Sequence, residues 1–188
     1  MRKSLITAVV TASLFTLAAC GNEDDTDTAG GHNDADVTFA QEMIPHHQQA
    51  IEMAELAASR AESDDVKDLA ADIEAAQGPE IETMTGWLES WGEDAPDEGM
   101  SGMDHGDMSS EDMGGMMTED EMTELEATSG PDFDRMFLTM MIEHHEGAIE
   151  MAKTEQSEGE FPDAVDMAKE IETTQAEEIQ TMQDLLKS

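Results

Sequence analysis

The chain has 188 residues, with 46 acidic side chains against 8 basic ones and a formal net charge of −38 at neutral pH. Such a surface repels the phosphates of nucleic acid and of anionic lipid, excludes both as partners, and draws cations. One cysteine among 17 methionines and 6 histidines excludes a disulfide framework and leaves His, Met and carboxylates as ligands for any metal.

Residues 1–19 read as a lipoprotein signal: Arg2 and Lys3, a short apolar run over 5–17, and then Leu17-Ala18-Ala19-Cys20. The run is too short to span a bilayer. Cys20 is the expected lipidation site, and its acyl chains would anchor the protein to the bacterial cell envelope, outside the cytoplasm. All the acidic residues follow Cys20. Cation recruitment and salt-adapted solubility explain that excess equally well, and both readings stand. Residues 20–35 are acidic and nearly devoid of apolar side chains, which predicts a disordered tether. His32 stands alone in it and is not counted as a ligand.

The first predicted hairpin covers 36–91. Over 36–60, Ala40, Met43/Ile44, His47, Ala50/Ile51, Ala54 and Ala57/Ala58 follow the three-four spacing of a helix face. Pro45 is expected to kink this helix or free a carbonyl just before the histidines. Over 63–91, Val66, Leu69/Ala70, Ile73, Gln77, Ile81, Met84 and Leu88 form a second stripe. Ser63 is its expected N-cap, and Gly78-Pro79 is expected to interrupt it. With the turn near Glu62, antiparallel pairing sets His47 opposite Gln77 and Gly78. A polar layer inside an apolar seam needs partners.

Residues 92–130 form a Met/Gly/Asp-rich linker, long for a compact domain. Its Met100, Met103, His105 and Met108 are spaced to wrap a cuprous ion, a second candidate metal region. The competing reading is a solvated acidic linker. A short helix is predicted over 119–128.

The second hairpin, over 131–188 with helices at 132–157 and 162–186, repeats the first at an offset of 98 residues. MIPHHQQAIEMA from Met43 becomes MIEHHEGAIEMA from Met141. Phe39, Ile73, Gln77, Ile81, Met84 and Leu88 return as Phe137, Ile171, Gln175, Ile179, Met182 and Leu186, so His145 is expected opposite Gln175. Neither hairpin can bury its apolar face alone. Pairing them over 36–188 predicts one all-α domain, a ferritin-like four-helix bundle with a long crossover linker.

Met43 and His47 stand four residues apart, as do Met140 and His144, and Met141 and His145, so each pair shares a helix face. Met53 and Met151 lie two turns beyond His46 and His144. Thioether with imidazole suits Cu(I) rather than Cu(II) or a hard cation. Each piece also has a structural reading, a hydrogen-bonded core histidine or a packing methionine. The stripes place His47 and His145 in the buried seam and His46 and His144 on an accessible flank. Catalytic patterns are missing. The Glu-x-x-His pair of di-iron bundles fails, because Met43 and Met141 occupy the positions three before His46 and His144. His145-Glu146 lacks the second histidine of a zinc-protease helix. No enzyme is expected.

The two tandem-histidine boxes, with QGPEIETM from Gln77 and QAEEIQTM from Gln175, resemble the domain of unknown function 305 family, which includes CopM-like copper-binding proteins of the bacterial envelope. The resemblance spans 36–186. It implies a ferritin-like bundle and copper binding in copper tolerance. Carried over by position, the implied ligands are His46, His47, His144 and His145 with Met43, Met53, Met141 and Met151, then Met84 and Met182. The expectation is an extracytoplasmic, lipid-anchored protein that sequesters copper or hands it to a copper-handling partner. The alternatives are a ferritin-like cuprous oxidase using the same pocket and a salt-adapted lipoprotein without a specific metal. Pro45 and Gly147 differ between the repeats, so their sites need not be equivalent.

Overall fold

In the computed structural model, residues 31–96 and 114–188 are described. The expected signal segment, Cys20, most of the tether, and Met100, Met103, His105 and Met108 lie outside them. The described residues form five helices and no strand: α1 (Asp34–Arg60), α2 (Asp64–Trp91), α3 (Glu119–Ala127), α4 (Pro131–Glu158) and α5 (Pro162–Leu185). None of them is long and apolar enough to cross a membrane.

Helices α1 and α2 form one hairpin and α4 and α5 the other. The hairpins meet mainly along α1 and α4, with lighter contact between α2 and α5. Helix α3 lies over α1 and α4, starting from a capping box in which Thr118 and Glu121 each bond the other's backbone N–H. The bundle is thus four long helices plus a short one from the linker.

Both internal prolines are carried without a break. Helix α1 passes through Pro45 and α2 through Gly78-Pro79. The expected interruption of α2 is therefore corrected. Proline removes one intrahelical hydrogen bond, and packing of the flanking apolar stripe on the other helices holds the axis together. Ser63 occupies the N-cap position of α2, but its side chain makes no capping bond. Its backbone is held from the other repeat instead.

That hold is reciprocal. Asp134, at the start of α4, accepts the backbone N–H groups of Glu62 and Ser63 at 3.0 and 2.9 Å. Asp36, at the start of α1, accepts those of Glu160 and Phe161 at 3.2 and 2.9 Å. Asp36 and Asp134 are equivalent across the 98-residue offset, as are the two turns. Each hairpin's first helix therefore caps the other hairpin's turn, which locks the repeats into a pseudo-twofold pair. Gly130 adds a bond from its N–H to the carbonyl of Arg60 at 2.8 Å.

The apolar core falls into two clusters. One joins Phe39, Ala40, Met43 and Ile44 of α1 to Ala148 and Ala152 of α4. The other joins Ala50, Met53, Ala54 and Ala57 of α1 to Phe133, Phe137, Leu138 and Met141 of α4. Burying a large apolar side chain such as Phe137 contributes about 1.5–3 kcal/mol. Antiparallel α1 and α4 cross between the clusters, and the histidines occupy that crossing.

Candidate metal centre

His46, His47, His144 and His145 are all fully buried, each 0% exposed. Neighbouring residues on a helix project about 100° apart, so each tandem pair sends one imidazole to each of two seams. His46 and His144 point across the α1–α4 seam and meet, with ring centroids 3.7 Å apart and planes tilted by 40°. His47 turns to its own hairpin partner, and its Nε2 lies 2.7 Å from Glu80 Oε2 on α2. His145 repeats this with Glu178 on α5, also at 2.7 Å.

The expected division between accessible and buried histidines is therefore corrected. His46 and His144 are the innermost pair, because they meet in the α1–α4 seam between the two apolar clusters. His47 and His145 reach the glutamates that lead outward, whose side chains are 24% and 15% exposed. The expected partners Gln77 and Gln175 are buried too, yet neither bonds a histidine; Glu80 and Glu178, one turn further along, do.

A carboxylate that accepts the Nε2–H of an imidazole fixes its tautomer and leaves Nδ1 with a free lone pair. In this tautomer, which the carboxylates impose, Nδ1 of His47 and of His145 is buried without a partner. Both nitrogens of His46 and both of His144 are likewise without one. Six imidazole nitrogens are thus withdrawn from water and left unsatisfied, a cost of roughly 1–3 kcal/mol for each orphaned group. Buried polar groups without partners call for one, and a bound ion is one way to supply it.

The protonation states suit a cation. Burial pulls the His46 imidazole down to about 3, and the nearby His47 and His145 add to the shift; Gly114 opposes it through its backbone. Gly114 does so from close by, without a hydrogen bond of ordinary geometry. His144 is held well below the usual imidazole range by burial first and then by the other three histidines. Both rings are neutral near pH 7 and bind a metal without first losing a proton.

The methionines divide around this layer. Met43 and Met84 lie in the cluster on one side, with the half-buried Met151 against it, while Met53, Met141 and Met182 lie in the cluster on the other. All but Met151 are fully buried. The structure thus gathers the four histidines into one layer and splits the candidate thioethers into two sets that flank it. Among the described residues, no group of three or more His, Cys, Asp or Glu side chains is arranged to hold a metal ion. A hard cation, which takes six or more oxygen donors, has no shell here. A soft cation served by imidazole and thioether is the better match to the donor set.

The residues that sequence reasoning missed are Glu80, Glu178 and Gln49, and it marked Gly147 only as a difference between the repeats. The first two carried a signal, since both are glutamates at equivalent repeat positions, three residues after Gln77 and Gln175. Gln49 and Gly147 are equivalent positions with different residues, and both touch the end of the linker. The Gln49 amide donates to the carbonyl of Met117 at 2.8 Å and accepts its N–H at 2.7 Å. Gly147 lies against Gly114, where a Cβ would collide with the Gly114 carbonyl.

The family model of the domain of unknown function DUF305 matches residues 36–186. The chain belongs to the DUF305 family. A DUF305 protein from Streptomyces coelicolor has a similar structure, with a TM-score of 0.71 and 32% identity, over 81% of this chain and 91% of that one. A DUF305 fragment from Deinococcus radiodurans gives a TM-score of 0.71 and 31% identity, over 82% and 96%. CopM in its Cu(II)-bound form is 34% identical with a TM-score of 0.67, over 81% of this chain and 95% of CopM. CopM is also known in a Cu(I)-bound form, against which the identity is 31% and the TM-score 0.65. No functionally curated protein sequence matches this DUF305 chain.

Proposed function

We propose that this DUF305 protein binds copper, taken up as Cu(I), at the buried histidine layer, and buffers it or passes it on in the cell envelope. The observation that carries the reading is the set of six unpartnered imidazole nitrogens in a core otherwise closed to water. Their neutral state, the flanking methionines and the acidic surface all favour a soft cation, and the copper-bound forms of CopM support the choice of metal. His46 and His144 supply the central donors. His47 and His145, each oriented by its glutamate, supply Nδ1, and Met43, Met53, Met141 and Met151 are the candidate thioethers on the same helices. Met84 and Met182 rank after them.

The relative from Streptomyces coelicolor is described as a secreted protein, which supports a place outside the cytoplasm; anchoring through Cys20 is part of the same proposal. The protein acts by stoichiometric binding, not turnover. A competition titration against a cuprous chelator tests the reading on the wild type and on the His46→Ala/His144→Ala double variant. Tight uptake that the double variant loses is expected. Equal affinity in the two proteins would refute the histidine site, and dioxygen consumption with added Cu(I) would move the reading to an oxidase.

A further inference from the structure

Residues 114–117 run over the crossing of α1 and α4, at the level of the histidines. Three contacts hold them there. The Gln49 amide takes both backbone groups of Met117 in a buried two-bond clamp. The Met117 side chain is 6% exposed and joins the core cluster of Met53 and Met141. Against α4, Gly115 of the strap has φ +85°, and a Cβ there would stand 2.6 Å from the carbonyl oxygen of Glu143 and 3.0 Å from that of His144. Gly147 completes the seat, since a side chain at that position would occupy the place of the Gly114 carbonyl. A residue other than glycine at 115 or 147 would lift the segment off the helix.

The positions that hold this strap are repeat-equivalent, yet they work in opposite ways. Gln49 reaches out and binds backbone, while Gly147 withdraws and makes room. The strap therefore fits one way round. Gly115 sits against the backbone carbonyl of His144, and Gly114 against Gly147 less than one turn beyond, which places the strap on α4 at the level of the innermost imidazole pair. Imidazole lone pairs lie in the ring planes, so rings packed at 3.7 Å with a 40° tilt present their nitrogens to the rim of the pair.

We propose that residues 114–117 are a removable cover of the His46/His144 pair, that Gln49 and Gly147 are the positioning residues that seat it, and that soft cations enter and leave as it lifts. The proposal rests on the copper reading for the identity of the cation, and on geometry alone for the cover. The clamp consists of two hydrogen bonds and one apolar side chain, a local interaction that opens without unfolding the bundle.

Two variants test it, Gln49→Ala, which removes the clamp, and Gly147→Ala, which fills the seat; circular dichroism checks that each keeps its helices. In the first measurement the metal-free proteins react with diethyl pyrocarbonate, and modification is mapped by peptide mass, with half-buried His32 as the internal reference. His46 and His144 are expected to be slow in the wild type and about tenfold faster in both variants, the scale of one or two lost hydrogen bonds. In the second, Cu(I) is exchanged with a cuprous chelator. Uptake and release are expected to accelerate together, leaving affinity within about threefold, since a cover alters the path and not the ligands. Wild-type labelling rates in both folded variants would overturn the cover. Faster release without faster uptake would overturn it as well, because the strap would then be acting as a ligand. If no version of the protein takes up Cu(I), the copper reading fails, and the labelling contrast still decides whether residues 114–117 cover the histidines.

Discussion

The two repeats keep the same residues where they build the centre and differ where they meet the rest of the chain. His46/His144, His47/His145, Glu80/Glu178 and Asp36/Asp134 are identical across the 98-residue offset. Together they make the imidazole pair, its two carboxylate supports and the reciprocal caps. Gln49/Gly147 and Ala57/Glu155 are not identical. The first difference seats residues 114–117 on one face only. The second puts a carboxyl beside one cap and a methyl group beside the other. A duplicated hairpin thus supplies a symmetric site, and single substitutions in one copy give that site a direction.

Glu155 shows what such a substitution does. It is 1% exposed, and its carboxyl is pushed up to about 8 by burial first and then by the neighbouring Asp36 carboxylate and its negative charge, although neither Glu155 oxygen makes a hydrogen bond of ordinary geometry. Burial alone would raise Asp36 as well, but the adjoining Glu155 carboxyl and hydrogen bonds from the backbone of Asn33, Phe161 and Glu160 bring it below the usual range. Near neutral pH the pair therefore holds one proton, on Glu155. The equivalent cap at Asp134 has only Ala57 in the corresponding place and needs no such proton.

The largest expected effect breaks the symmetric part. Replacing both His46 and His144 with Ala should lower Cu(I) affinity by about a hundredfold or more, the scale of losing liganding groups rather than their supports. The chelator titration reads this, and a smaller loss in the double variant than in either single variant would contradict a shared site. Next come the supports. Glu80→Gln and Glu178→Gln should each cost about tenfold in affinity, because the amide no longer imposes one imidazole tautomer. Equal losses mean two equivalent arms; a loss confined to one variant would show that a single hairpin dominates.

The caps sharpen the comparison through stability. Asp134→Ala leaves the backbone N–H groups of Glu62 and Ser63 without their acceptor, and should cost about 1–2 kcal/mol, as removal of a helix cap does. Thermal unfolding should show a decrease of a few degrees for a domain of this size. The smallest effect is in the pH profile. A carboxyl raised in the folded state favours folding while it is protonated, so its contribution is lost as pH climbs from 4.5 towards about 8. His46 and His144 act oppositely, because their depressed values cost stability as pH falls below 6.5. Above pH 7 these two are neutral both folded and unfolded, so the contribution of Glu155 is read there without theirs. Glu155→Gln, which mimics the protonated acid, should flatten the denaturation midpoint between pH 7 and 8.5, whereas Ala57→Gln on the other repeat should not alter the slope. An unchanged slope in Glu155→Gln would refute the raised Glu155 carboxyl.

Helix identity, the two hairpins and the repeat were legible because each rests on local periodicity. Val66, Leu69, Ile73, Gln77, Met84 and Leu88 recur at three-four spacing, and all six are buried on α2. Gly78-Pro79 misled, since a breaker signal reports local cost and says nothing of the packing that offsets it. The centre was legible in part. The tandem histidines and methionines marked it, but the assignment of His46 to a flank came from pairing each helix with its sequence neighbour alone. Helix α1 has two apolar neighbours, α2 and α4, and two adjacent side chains 100° apart serve one each.

The sequence by itself determined that there are two equivalent helical hairpins, that each carries a His-His pair in an apolar stripe, and that the surface is acidic. These follow from residue type and period. Only the tertiary structure decided that His46 meets His144, that Glu80 and Glu178 hold the outer histidines, and that residues 114–117 lie over the pair. Each of those contacts joins separate helices or the linker, and its partners are chosen by how the two repeats pack against one another.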